Sequence, residues 1–140
     1  MAYTGRCACG ANTLEIGTEP IATRQCWCRQ CQQISSGGPS QNAIFPAEAV
    51  QISGTLAQSS WQAASGNTLT HSFCPACGTQ IYAQSSARPT LKTVRFGAID
   101  APHGLIPQVA IWTEEAPDWA LIDPELEQFP RQPPPPPPAS

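Results

Sequence analysis

Seven cysteines in a 140-residue chain, all confined to three short groups, restrict this sequence more than any other feature. The groups are Cys7-Ala8-Cys9-Gly10, Cys26-Trp27-Cys28-Arg29-Gln30-Cys31 and Cys74-Pro75-Ala76-Cys77-Gly78. An odd number of thiols cannot all pair as disulfides within one chain. The opening residues Met1 to Arg6 carry no apolar run, and no stretch reaches the roughly 18 uninterrupted apolar residues of a membrane span. Neither secretion nor membrane insertion is signalled, so the expected location is the cytoplasm, where clustered thiols serve as metal ligands or redox groups rather than crosslinks.

The spacing favours metal. A Cys-x-x-Cys-Gly turn lets two thiolates converge on one ion, and the glycine accepts the positive φ that folds the backbone around it. In Cys-x-Cys the two side chains leave an extended segment in the same direction. Structural zinc is closed by four ligands and catalytic zinc keeps three plus an open position, so seven thiols divide as four and three, with Cys26, Cys28 and Cys31 the contiguous three. Four alternatives stay open at this level. They are an iron–sulfur cluster, two structural zincs with His71 or His103 as an eighth ligand, a thioredoxin-like redox pair, and unligated buried thiols.

Gly, Pro, Ser and Asn punctuate the chain about every ten residues, and no long stretch keeps a helical apolar period, so the expected fold is mainly β with little helix. Strands are expected at Leu14–Ile16, 21–25, 41–45, 49–53, 80–84, 91–96 and 108–113. A hairpin is expected from 56–64 and 68–73 around Ser65-Gly66-Asn67. One or two helical turns between Cys28 and Ser36 are stopped by Gly37-Gly38-Pro39. The resulting eight or nine strands suit an antiparallel assembly. Residues 1–130 are expected to form one domain and 131–140, with six consecutive prolines at 133–138, a solvated proline-rich tail.

Charged residues make up only 12% of the chain, with a net charge of −3, seven scattered Lys and Arg, and six acidic residues gathered between Glu114 and Glu127. No basic stripe is available to a phosphate backbone, so nucleic acid is excluded as a partner class. Trp119 and Leu121 are expected to anchor the acidic segment to the core. Arg24 and Arg29 flank the middle cysteine group and read as solvated. His71 shares a strand face with Leu69 and Phe73 and reads as structural, and His103 as a loop residue.

The motif order resembles that of the glutathione-dependent formaldehyde-activating enzyme family, also called the S-(hydroxymethyl)glutathione synthase family. Gly5 to Gly10 is similar to its opening, Cys26 to Cys31 with Ser36-Gly37 to its middle motif, and Phe73 to Gly78 to its third. Gly97 to Pro102 and Pro107 to Trp112 are similar to its closing segment. The resemblance implies a barrel-like assembly of twisted antiparallel sheets, shared with zinc-binding Rab exchange factors and methionine-R-sulfoxide reductases and stapled by a structural zinc. Cys7, Cys9, Cys74 and Cys77 would hold that zinc, and Cys26, Cys28 and Cys31 a catalytic one, giving two per chain.

The implied activity is that of a carbon–sulfur lyase joining a small-molecule thiol, glutathione, to a small aldehyde, formaldehyde, or running the reverse. The alternative is a non-catalytic zinc-stabilised binding or chaperone-like module of the same fold. Two positions depart from the family pattern: Trp27 and Ala110 stand where histidines are usual. Trp27 would wall an aldehyde pocket or shield the metal site. The direction of reaction and the oligomeric state are not specified by the sequence.

Overall fold

The computed structural model describes residues 2–63 and 66–134 and is mainly β, with eleven strands, one short α-helix and three single turns of 3-10 helix among the described residues. Alternation shapes the first sheet. In β2 (Thr13–Ile16) Leu14 and Ile16 are buried while Thr13 and Glu15 face solvent. This strand lies between β1 (Tyr3–Arg6) and β5 (Val50–Ser53), antiparallel to both, in a three-stranded sheet.

The second sheet has eight strands in the order β11-β10-β3-β4-β9-β8-β7-β6. Its members are β3 (Ala22–Cys26), β4 (Ser40–Pro46), β6 (Ala57–Gln62), β7 (Thr68–Phe73), β8 (Gln80–Ser85), β9 (Leu91–Arg95), β10 (Val109–Ile111) and β11 (Glu127–Gln128). The expected hairpin is β6 paired antiparallel with β7. Gly66 in its connection has φ +88°, and Ala64 and Ser65 lie outside the described residues.

One face of the large sheet packs against the small sheet. Leu14, Ile16 and Val50 from the small sheet meet Ala43, Phe45, Ile81 and Val94 from the large one, with the Cys7 and Cys74 thiols in the same core. A second cluster gathers Cys26, Cys31 and Ile111, with Val109, Trp112 and Phe129 packed on it.

Three expectations are corrected. The large sheet is mixed rather than antiparallel, because β10 runs parallel to both β3 and β11. The chain leaves β9, makes the long connection 96–108 and returns in the direction of β3, so Ile111 pairs with Cys26. The sheets are twisted but open, with β6 and β11 as edges, and no barrel closes. Trp119 and Leu121 do not anchor the acidic segment in the core: Trp119 is 68% exposed, meeting only the edge of Trp27, and Leu121 is 93% exposed. Two prolines, Pro117 and Pro124, keep this stretch from regular pairing, and its attachment runs through backbone instead. The amide of Trp112 donates to the Arg131 carbonyl and that of Thr113 to the Phe129 carbonyl.

Of the proline-rich stretch, residues 135–140 lie outside the described residues. Within 131–134, Arg131 pairs with Glu114 at 2.8 Å and Gln132 accepts from the Trp112 indole. Among the described residues no helix is long and apolar enough to cross a membrane.

Candidate metal centres

All seven cysteines are free thiols, and they converge as two groups. The sulfurs of Cys7, Cys9, Cys74 and Cys77 lie within 4.8 Å of one another, as do those of Cys26, Cys28 and Cys31.

The four-sulfur group is made by two matching turns. The first follows β1 and closes with the Gly10 amide on the Cys7 carbonyl; the second follows β7 and closes with the Gly78 amide on the Cys74 carbonyl. Gly10 and Gly78 have φ of +81° and +79°, the left-handed backbone that a side chain would disfavour. Thr79 stitches the turns together: its hydroxyl accepts from the Ala8 amide at 3.0 Å and lies 3.2 Å from the Cys77 sulfur. The Asn12 amide donates to the Cys7 sulfur.

Sulfur separations test the fit of a metal. A tetrahedral zinc with Zn–S bonds of about 2.3 Å needs sulfurs about 3.8 Å apart. Cys7 to Cys9 is 3.6 Å and Cys9 to Cys74 is 3.8 Å. Without a cation the four cannot ionise together. Cys77 is pulled down to about 5, chiefly by the Thr79 hydroxyl. Cys9 is pushed up to about 11, against a hydrogen bond from Ala11 and largely by the neighbouring Cys7 thiol.

The three-sulfur group spans six residues. Cys26 ends β3, Cys28 caps the helix α1 (Arg29–Ile34) by accepting from the Cys31 amide at 3.4 Å, and Cys31 lies in the first turn. Cys26 and Cys31 are buried and Cys28 is partly open to solvent. Among the described residues no fourth Cys, His or carboxylate joins them. The Ser40 hydroxyl donates to the Cys31 sulfur at 3.0 Å. Cys31 is held well below the usual thiol range, first by the Cys26 and Cys28 thiols and then by Ser40 and the Arg95 charge, while Cys28, Cys31 and burial push Cys26 far up.

Trp27 is 3% exposed, with its indole N–H on the Gln25 side chain and its ring edge-on to Trp119 at 6.4 Å. Ala110 is fully buried beside Gln25 in the β10–β3 pairing. Arg29 is exposed and donates to Gln32, whereas Arg24 is half-buried opposite Asn42. His103 sits in a loop, accepting from the Leu105 amide, and Phe96 stacks edge-on against it.

Sequence reasoning missed Ser40, Asn42 and Arg95. Register brings them to the site: Cys26 pairs with Ser40, and Arg24, Asn42 and Arg95 form one row across β3, β4 and β9. Ser40 and Asn42, two residues apart, share a face by the strand period. The available signal was an arginine set between two apolar residues, Val94 and Phe96. A groove of about 370 Å³ opens beside Ser40 and Arg95, running from the end of α1 to the Gly78-Thr79 turn. A larger one, about 440 Å³, crosses the small sheet along Thr4, Arg6, Glu15 and Asp100; neither groove is lined by a cysteine or histidine.

Three comparisons bear on the site. The family model described as glutathione-dependent formaldehyde-activating enzyme matches residues 2–115. No curated protein matches the chain. Among solved structures, a crystal structure of a Rhodobacter sphaeroides protein is similar with a TM-score of 0.56 at 23% identity, covering 74% of this chain and 97% of that one. That likeness is one of fold.

Proposed function

The chain belongs to the glutathione-dependent formaldehyde-activating enzyme family, and from that premise we propose that it is a zinc-dependent carbon–sulfur lyase, forming or cleaving the adduct of glutathione with formaldehyde. The observation that carries this reading is the three-sulfur group: Cys26, Cys28 and Cys31 converge with no fourth protein ligand among the described residues. Three protein ligands and a free position are the donor set of a catalytic zinc, four cysteines that of a structural one. Cys7, Cys9, Cys74 and Cys77 are accordingly the structural ligands, giving two zincs per chain. When bound, the catalytic zinc supplies the Lewis acidity that keeps a small-molecule thiol deprotonated near neutral pH.

The chain's own residues do the rest. Ser40 holds the Cys31 sulfur, buried Trp27 keeps water from the back of the cysteine segment, and Cys28, partly open to solvent, leaves the group accessible to reactants. In the synthetic direction the thiol sulfur bonds to the aldehyde carbon and the carbonyl π pair moves to oxygen, which takes a proton from solvent in place of the one the thiol gave up. The hemithioacetal breaks down by the reverse. We assign this chemistry to a domain of residues 1–130 bearing a proline-rich tail, 131–140, and to a reducing compartment such as the cytoplasm, where seven thiols persist.

Native mass spectrometry and NMR exchange spectroscopy test the reading together. Two zincs per chain are expected, falling to one in Cys28→Ser, and wild type should accelerate exchange between glutathione, formaldehyde and their adduct where Cys28→Ser does not. Two zincs without acceleration over buffer would make the chain the non-catalytic, zinc-stabilised binding module instead.

A further inference from the structure

Four buried or nearly buried side chains form an unbroken line behind the three-sulfur group. Arg95 Nη1 donates to Asn42 Oδ1 at 2.5 Å, Asn42 Nδ2 donates to Ser40 Oγ at 2.9 Å, and Ser40 Oγ donates to Cys31 Sγ at 3.0 Å. Arg95 is 8% exposed, Asn42 5% and Ser40 3%.

The chemistry of the groups forces the direction of every bond. A guanidinium has donors and no acceptor, so Asn42 must turn its carbonyl oxygen to Arg95 and its amide nitrogen to Ser40. Ser40 Oγ accepts there, and its single proton is left for the sulfur. Cys31 is thus the acceptor end of a line that begins in a positive charge.

Charge balance points the same way. A cation buried to this degree is costly without opposite charge nearby, and no carboxylate is bonded to Arg95 among the described residues. Its Nε has no hydrogen-bond partner. Burial opposes the Arg95 charge, whereas the sulfurs of Cys31, Cys26 and Cys28 favour it. Three thiolates around a divalent ion carry one net negative charge, which a single guanidinium cancels.

We propose that Arg95, acting through Asn42 and Ser40, is a positioning residue of the three-sulfur site: it fixes a hydrogen bond and a positive charge on the Cys31 sulfur and so sets how strongly that sulfur donates to a bound divalent ion. The inference rests on the two-metal reading above. Cys31 becomes the weakest donor of the three, and the ion it holds keeps more of its Lewis acidity for an incoming thiol.

Cobalt(II) in place of zinc makes this visible in the full-length protein. Bands of the three-sulfur site are those missing from Cys28→Ser; bands that remain report the four-sulfur site and the fold. Ser40→Ala is expected to move the sulfur-to-cobalt charge-transfer band of the three-sulfur site to longer wavelength, because an unbonded sulfur gives up its electron more readily. Arg95→Met should shift it the same way and weaken cobalt binding there about 10–100-fold, the usual range for groups that orient metal ligands. Arg95→Lys, which keeps the charge and a donor for Asn42, should recover most of both.

An unmoved band in Ser40→Ala, or equal behaviour of Arg95→Met and Arg95→Lys, overturns the relay. Should Arg95→Met lose the four-sulfur bands and fail to fold, Ser40→Ala decides alone. Two cobalts in wild type with an unmoved band defeat the relay only, whereas one cobalt per chain defeats the two-metal reading and the relay with it.

Discussion

His71 lies on β7 against Trp61, ring centroids 4.0 Å apart, and is 5% exposed, with Nδ1 lacking a hydrogen-bond partner. Burial first, and the Arg95 charge second, hold its imidazole down to about 4 from the ordinary 6.5, partly offset by Cys31. The folded chain therefore keeps His71 neutral while the unfolded chain protonates it. Unfolding takes up a proton as pH falls below about 6.5, so this residue's contribution is intact above that value and lost progressively towards pH 4. The full loss is about 3 kcal/mol. Urea midpoints measured at pH 7 and pH 5 are expected to fall with acid, and to fall less in His71→Gln; equal slopes in the two proteins would contradict the assignment.

At the scale of elements, one side chain of α1 makes two of its attachments. Gln32, 5% exposed, donates to the Trp27 carbonyl at 2.8 Å and the Glu115 carbonyl at 2.9 Å, tying the helix to the turn after β10. Gln32→Leu leaves two carbonyls without that donor, a loss of about 1–3 kcal/mol. The expected result is a lower thermal midpoint and faster hydrogen exchange at the Cys31 and Gln32 amides, with the β7–β8 turn unaffected.

The turns and α1 were legible in the sequence because their determinants are local. Cys-x-x-Cys-Gly and Cys-x-Cys-Gly specify a turn within five residues, and Leu14 and Ile16 specify a strand face within four. The parallel β10 was not legible, since its register depends on Ile111 meeting Cys26 across most of the chain. Arg95 escaped for the same reason: its partner Asn42 is 53 residues away, and only sheet order brings the two together. Trp119 and Leu121 misled because apolar character alone does not say which way a proline-broken segment faces.

For the whole molecule, the four-sulfur site is where turns of the two sheets meet, and a metal bound there would tie them. Cys7 and Cys9 come from the turn at the end of the small sheet, Cys74 and Cys77 from the β7–β8 turn of the large one, and the Cys9–Cys74 link spans 65 residues. Treated as a crosslink of that length, a bound metal would remove unfolded-state entropy amounting to about 4 kcal/mol. Cys74→Ser is expected to lower the thermal midpoint sharply and to expose core surface to a hydrophobic dye. Cys28→Ser should leave both readouts near wild type. Comparable losses in the two variants would show that the tie is not specific to the four-sulfur group.

The three-sulfur group, by contrast, is confined to Cys26–Cys31, one strand end and one short helix. Nothing in that segment bridges the two sheets. A lineage carrying this architecture can therefore exchange single thiols of this segment and vary or abandon its chemistry while inheriting an intact scaffold.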